Sequence, residues 1–200
     1  MTLALWFLAS YLLGAIPTSF LVARIAKGVD LRQVGSKNLG ATNLYRALGW
    51  RYAVPVGLFD VAKGTIPVLL FGPETRGPAW IPVAFGLTAV LGHVFSVFVG
   101  FKGGKGVATA AGVMLGLAPW ATAISLVTWI ATVKVTGYVS LGSILAALVL
   151  PVGAYLLHPN LRPVGWAFAA LALFIVVMHR ANIARLLAGT ESRFGKREAQ

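Results

Sequence analysis

Apolar residues run along this chain in long blocks rather than in the narrow stripes of a soluble helix or the alternation of a half-buried strand. The blocks cover about residues 3–22, 53–71, 80–99, 107–133, 138–157 and 164–178. Most approach the roughly 20 residues that a helix needs to cross the hydrocarbon core of a bilayer. Polar, Gly- and Pro-rich stretches separate them. The first runs from Arg24 to Arg51, and the second is GPETRGP at 72–78, which reads as a turn. GFKGGKG follows at 100–106 and HPNLRP at 158–163, and a basic tail begins at His179. The pattern predicts an all-α integral membrane protein, with some helices short or re-entrant. The block 107–133 carries Ala-Pro-Trp at its middle, residues 118–120. It is either one crossing or two short ones that turn at Pro119, and a buried re-entrant hairpin is the third form it can take.

Composition supports the bilayer. Hydrophobic residues make up 58% of the 200, and charged ones 11%, far from the balance of a globular domain. Lys and Arg total 17 against 5 Asp and Glu, a net charge of +12. In a soluble chain that excess would suggest nucleic acid. Here the basic residues lie between apolar blocks, the arrangement that orients spans and meets anionic lipid surfaces, so membrane lipids and not nucleic acid are the expected partners. There is no cysteine, hence no disulfide framework and no thiolate metal ligand. The histidines and acids are too scattered for a metal motif, and neither metal nor cofactor is expected. The N-terminus lacks a basic n-region and reads as a retained anchor.

Charge also decides the parity of the crossings. Arg24 and Lys27 follow the first block and place its C-terminal end in the cytoplasm. If block 107–133 crosses twice, all Lys and Arg outside the spans except Arg76 and Arg162 share that side. This favours about seven transmembrane helices, with the N-terminus outside and the C-terminus cytoplasmic. The chain reads as one membrane-embedded domain over 1–200, with a basic, flexible cytoplasmic tail over 192–200. Asp60 and Lys63, three apart in the second block, are expected to form an intramembrane pair. His93, among apolar residues, is expected to be a packing or hydrogen-bonding residue.

Under this topology three polar segments share the cytoplasmic face. GSKNLGATNLYR (35–46) offers Ser36, Asn38, Thr42 and Asn43, with Arg46 adding a planar fork of donors. It suits a small anionic, polyhydroxyl ligand, or equally a capped interfacial helix. GGKGVAT (103–109) has glycines that let backbone N–H groups converge on an anion, a lysine, and a helix start just beyond. Gly103, Gly104, Lys105 and Gly106 form either such a nest or a plain basic turn. It is not a Walker loop, since Val99 stands where the first glycine is needed and Gly106 follows the lysine. HRANIARL (179–186) puts His179 and Asn182 on one helical face, with Arg180 beside them. No His-x-x-x-x-Asp motif and no nucleophile elbow occurs.

These three segments, in order and at fitting separations, resemble the bacterial acyl-phosphate-dependent glycerol-3-phosphate acyltransferases, the PlsY family. That family's Gly-Ser-x-Asn-x-Gly-Ala-Thr-Asn, Gly-Gly-Lys-Gly-Val-Ala-Thr and His-Arg-x-Asn-Ile-x-Arg-Leu are matched at 35–43, 103–109 and 179–186. The resemblance implies a seven-helix inner-membrane enzyme, here with a cytoplasmic-facing active site under the topology above. It would move a fatty acyl group from acyl phosphate to the 1-hydroxyl of glycerol 3-phosphate, giving lysophosphatidic acid and phosphate. It carries functional roles onto Ser36, Asn38, Arg46, Lys105, Ser143, His179 and Asn182. His179 is then either a general base or a phosphate ligand. From the residues alone, a transporter or channel for an organic phosphate is the alternative; the lack of an internal repeat weighs against it. The parity gives a first prediction. Reporter fusions at Pro73 and after Gln200 should score outside and inside; both on one side would overturn the seven-span arrangement.

Overall fold

The structure is a computed structural model, and it describes residues 2–75, 77–78 and 80–195. Among the described residues all regular structure is helical. By packing, the chain divides into two compact units, Met1–Leu117 and Ala118–Gln200.

The first unit holds α1 (Leu3–Ala15), α2 (Thr18–Lys27), α3 (Ala41–Leu48), α4 (Trp50–Ile66), α5 (Trp80–Val94) and α6 (Val107–Leu117). The first apolar block is not one straight span. It breaks at Ile16–Pro17, where α1 and α2 bend by 41°. Proline lacks an N–H and pushes the residue before it out of helical geometry, and Ile16 sits at ψ 113°. The stretch read as a turn at 72–78 begins later than expected. α4 runs on through a π-helical turn, Pro67–Phe71, into a helical turn over Gly72–Glu74. The wider turn coincides with Pro67, which has no N–H for the ladder.

The second unit holds α7 (Pro119–Thr136), α8 (Val139–Leu157), a 3₁₀ segment (Pro159–Val164), α9 (Gly165–Met178) and α10 (Arg180–Leu187). α8 packs on both α7 and α9. The apolar block 107–133 is thus two helices, parted at Ala118 with Pro119 opening α7. Among the described residues four helices are long and apolar enough to cross a bilayer, namely Trp50–Glu74, Trp80–Val99, Val139–Leu157 and Pro159–Met178, and a fifth if the bent α1–α2 pair counts as one span. α6 has 11 residues. At the start of the expected tail, the Phe194 N–H donates to the Gly137 carbonyl at 2.7 Å, and Arg193 stacks over Tyr138. Residues 196–200 lie outside the described residues.

Burial runs opposite to a soluble fold. Leu5, Leu8, Leu12, Leu58, Leu70, Trp120 and Trp166 are exposed, while Ser10, Asn43, Asp60, Lys63, His93, Ser96, His179 and Asn182 are buried. Apolar surface this extensive is what lipid covers. With lipid outside, helices gain little by hiding apolar area, and close packing must hold them. Two crossings in the first unit show how. At the α1–α5 contact, Gly14 faces the Ala89 carbonyl and Gly92 the Tyr11 carbonyl; at the α4–α6 contact, Gly64 faces the Thr109 carbonyl and Gly112 the Val61 carbonyl. At each, a Cβ would overlap the facing oxygen. Gly112→Ala should therefore lower stability by about 1–3 kcal/mol, the usual cost of overpacking. Gly57→Ala meets only the Ala41 methyl at 3.6 Å, and should be neutral or stabilise by up to about 1 kcal/mol through helix propensity. Thermal unfolding in detergent checks the pair; a Gly112→Ala midpoint at or above the parent's would mean that the crossing has room.

Candidate active site

The first polar segment is pinned from below and open above. Leu31, Leu39 and Leu44 drop into an apolar cluster with Ala23, Val56 and Val99, which anchors the segment while most of the intervening polar residues stay at least partly exposed. Asp30 holds Arg32 through a 2.7 Å ion pair, and this hydrogen bond lowers the Asp30 carboxyl to about 2. Asn43, expected as a substrate contact, is buried and occupied. Its Nδ2 donates to the carbonyls of Leu31 and Val34 at 3.2 and 3.1 Å, and its Oδ1 accepts the Ser36 N–H at 3.0 Å. Through these bonds Asn43 shapes the 31–36 turn. Ser36 is exposed, and Asn38, Thr42 and Arg46 are half-buried. Thr42 and Arg46, four apart on α3, share a face.

The glycine loop closes over the end of α5. The Gly103 and Gly104 N–H groups donate to the carbonyls of Val94 and His93 at 2.9 and 3.1 Å, satisfying acceptors that the helix end leaves open. Only glycine fits there: a Cβ on Gly103 would overlap the His93 carbonyl oxygen, and one on Gly104 would overlap the His93 ring and stand 2.7 Å from the Leu39 carbonyl. That last contact brings the first polar segment and the loop side by side. Gly106, at φ +82°, turns the chain into α6, whose first-turn N–H groups point back toward the loop. Lys105 is half-buried and Lys102 exposed. A cavity of about 310 Å³ lies at the other end of α6, between Val68, Gly72, Pro82 and Leu117; its lining among the described residues is uncharged, and it is remote from this chemistry.

In the second unit, His179 is 2% exposed. Its Nδ1 lies 2.8 Å from the Ile175 carbonyl. A carbonyl only accepts, so Nδ1 carries the proton and any acid–base role falls to Nε2. Ser143, on α8, donates to the Val139 carbonyl at 2.9 Å and takes a long contact of 3.4 Å from Trp129 Nε1. Its hydroxyl hydrogen is committed, so it is not set up as a nucleophile. Arg180 is exposed.

Asn182 brings in two residues that the sequence reading missed, Glu191 and Ser140. Glu191 Oε1 accepts from Asn182 Nδ2 and from Ser140 Oγ, both at 2.7 Å, and its Oε2 accepts from Arg185 Nε at 2.7 Å. The usable signals were modest: one of the tail's two acids, and two serines three apart on one face of an apolar helix. Burial alone would raise the Glu191 carboxyl, but the hydrogen bonds from Asn182, Ser140 and Arg185 outweigh it and hold the group below its ordinary value of 4.5. A carboxylate lowered on folding stabilises above its unfolded value, and that stability is lost as pH falls through the folded one. Glu191→Gln should therefore lower the unfolding midpoint at pH 7 and flatten its decline below about pH 4.5. Parallel profiles for variant and parent would show that the carboxylate does not hold this cluster.

Among the described residues no group of three or more His, Cys, Asp or Glu could hold a metal ion. Comparison with known proteins is extensive. The glycerol-3-phosphate acyltransferase family matches residues 4–189. The glycerol-3-phosphate acyltransferase of Geobacter sulfurreducens is 46% identical over 185 residues, covering 92% of this chain and 94% of its own. That of Chlorobaculum parvum is 42% identical over 221 residues, covering 94% and 95%. Two crystal structures of PlsY, an integral membrane glycerol 3-phosphate acyltransferase, share the fold. The glycerol 3-phosphate form superposes at a TM-score of 0.90 with 41% identity, covering 96% of both chains. The lysophosphatidic acid form gives 0.87 with 39% identity, covering 96% of this chain and 95% of that one. The matches run through all three polar segments, and the chain belongs to the glycerol-3-phosphate acyltransferase family.

Proposed function

We propose that this multi-pass membrane enzyme transfers a fatty acyl group from acyl phosphate to the 1-hydroxyl of sn-glycerol 3-phosphate, releasing lysophosphatidic acid and inorganic phosphate. The step serves phospholipid synthesis at the cytoplasmic face of a bacterial inner membrane. The observation that carries the reading is the glycine loop. It is a tightly held turn of Gly103, Gly104 and Gly106 around a half-buried lysine, opening a helix whose first N–H groups suit phosphate oxygens. Ser36, Asn38, Thr42 and Arg46 supply hydroxyl, amide and guanidinium groups for the rest of a polar, anionic acceptor. In the second unit His179, Asn182, Ser143 and Arg180 are the proposed polar contacts to substrate.

The chemistry asks for little beyond this. Acyl phosphate is a mixed anhydride and already activated. The 1-hydroxyl oxygen attacks the acyl carbonyl carbon, the bond from that carbon to the phosphate oxygen breaks, and phosphate departs with the electron pair. The hydroxyl proton passes to a phosphate oxygen. Positioning and stabilisation of the developing negative charge then do most of the catalysis. Ser143 fits an acceptor that orients the substrate. His179 presents Nε2, with its ring fixed through Nδ1 by Ile175.

Purified protein in detergent, given acyl phosphate and glycerol 3-phosphate, should form lysophosphatidic acid, whereas acyl-CoA should not replace acyl phosphate. Equal rates with both donors would remove the donor assignment, and no product at all would return the transport alternative. Within the loop, Lys105→Ala removes a charge-assisted contact of roughly 1.5–3 kcal/mol. That is about 10- to 150-fold in kcat/KM. Lys102→Ala, which removes the same charge from an exposed position, should cost far less. Equal losses would mean that bulk charge and not a formed nest does the binding.

A further inference from the structure

An ionic cluster lies buried beneath the glycine loop, and the reaction as described gives it no task. Asp60 and Lys63, one turn apart on α4, form an ion pair at 2.8 Å with side chains 4% and 1% exposed. Lys63 Nζ also donates to the Ile16 carbonyl at 3.0 Å, at the break between α1 and α2. Asp60 Oδ1 receives no aligned hydrogen bond despite the close lysine, and the same atom faces His93 Nδ1 of α5 at 3.9 Å. The other ring nitrogen of His93, Nε2, abuts Gly104, and the His93 carbonyl accepts the Gly104 N–H. Contacts therefore run unbroken from the first span through Lys63, Asp60 and the His93 ring to the loop.

Packing alone does not account for charges here. A buried ion pair is often no better for stability than apolar side chains of the same volume, and ionisable groups within a membrane are costly. Nor does the helix break require a cation: the neighbouring Ala15 carbonyl is satisfied by the neutral Ser96 hydroxyl. The distinctive property of the cluster is where it ends. His93 touches Gly104 with both backbone and ring, so the ring's placement sets the height of that stretch of backbone. We propose that Asp60, Lys63 and His93 are positioning residues that fix Gly103–Gly104 and thereby set the affinity of the loop for the phosphate of glycerol 3-phosphate. The inference rests on the reading of the loop as the acceptor's phosphate site.

The test is steady-state kinetics on the full-length protein in detergent, varying each substrate in turn. His93→Leu should raise KM for glycerol 3-phosphate about tenfold, the size of one weakened charge-assisted contact. KM for acyl phosphate should stay within about twofold by the same measure. His93→Gln, which restores a polar atom near the Gly104 side, should recover most of the loss. The double change Asp60→Leu with Lys63→Met replaces both charges by apolar chains, a swap that folds often tolerate, and should raise the same KM. A lowered unfolding temperature with unchanged KM for glycerol 3-phosphate, or equal rises for both substrates, would overturn the proposal in favour of plain packing. Should His93→Leu fail to fold, His93→Gln and the double variant decide: an unshifted KM for glycerol 3-phosphate in both overturns it. A wild-type arm that forms no lysophosphatidic acid sinks the acyltransferase reading and this inference with it. Normal wild-type turnover with unshifted variants sinks only this inference.

Discussion

A chain in lipid has no solvent to satisfy its backbone, so each N–H and C=O at depth must find a partner within the protein. The first unit is arranged around that requirement. Pro17 breaks the first span and leaves carbonyls at the end of α1 without helical donors. The Ser96 hydroxyl takes that of Ala15 and the Lys63 ammonium that of Ile16. At the end of α5 the roles reverse, and the Gly103 and Gly104 N–H groups fill the open carbonyls of Val94 and His93. The break is thereby tied to α4 and to Ser96 just past α5, and the loop to the end of α5. The loop is held in place because it completes a helix end, which suits the anion-binding role proposed for it.

The same requirement explains the glycines at helix crossings. Gly64 and Gly112 let α4 and α6 approach until backbone faces backbone. α6 begins at the loop, so its seat against α4 also fixes where its N-terminus points. α4 in turn carries Asp60 and Lys63. Packing between the helices and geometry of the loop are consequently one problem in this unit, solved by residues that carry no substrate chemistry themselves.

Much of this was legible in the sequence, for physical reasons. Apolar blocks report lipid contact directly, so the all-helical membrane fold and the Asp60–Lys63 pair follow from spacing alone. The break within 107–133 was signalled by Pro119, and the loop by its glycines. What escaped notice depends on long-range partners. Nothing local marks Asn43 as a brace of the 31–36 turn; that role lies in carbonyls at Leu31 and Val34. Glu191 looked like one charge in a polar tail, because its donors are Ser140, far back on α8, and Asn182 and Arg185, on the turns before it. The kink at Pro17 was readable in principle, since proline within an apolar run predicts it, but block length alone conceals it.

The acids illustrate a final constraint. An enzyme whose substrates are anions has to keep its own carboxylates from opposing them, and this chain carries only five acids against 17 bases. Three of those acids lie in or beside the segments discussed above, and each is neutralised where it stands. Asp30 is held by Arg32 at 2.7 Å, Asp60 by Lys63 at 2.8 Å, and Glu191 by Arg185 at 2.7 Å with two neutral donors besides. Each pairing consumes one base locally and uses the carboxylate to organise backbone or side chains. The remaining cationic charge is left to act at a distance, where low-dielectric surroundings and a positive field raise the local concentration of anionic substrate. The scarcity of carboxylates suits the proposed transfer of the proton to a phosphate oxygen, because a carboxylate base would be another anion near the reacting phosphate.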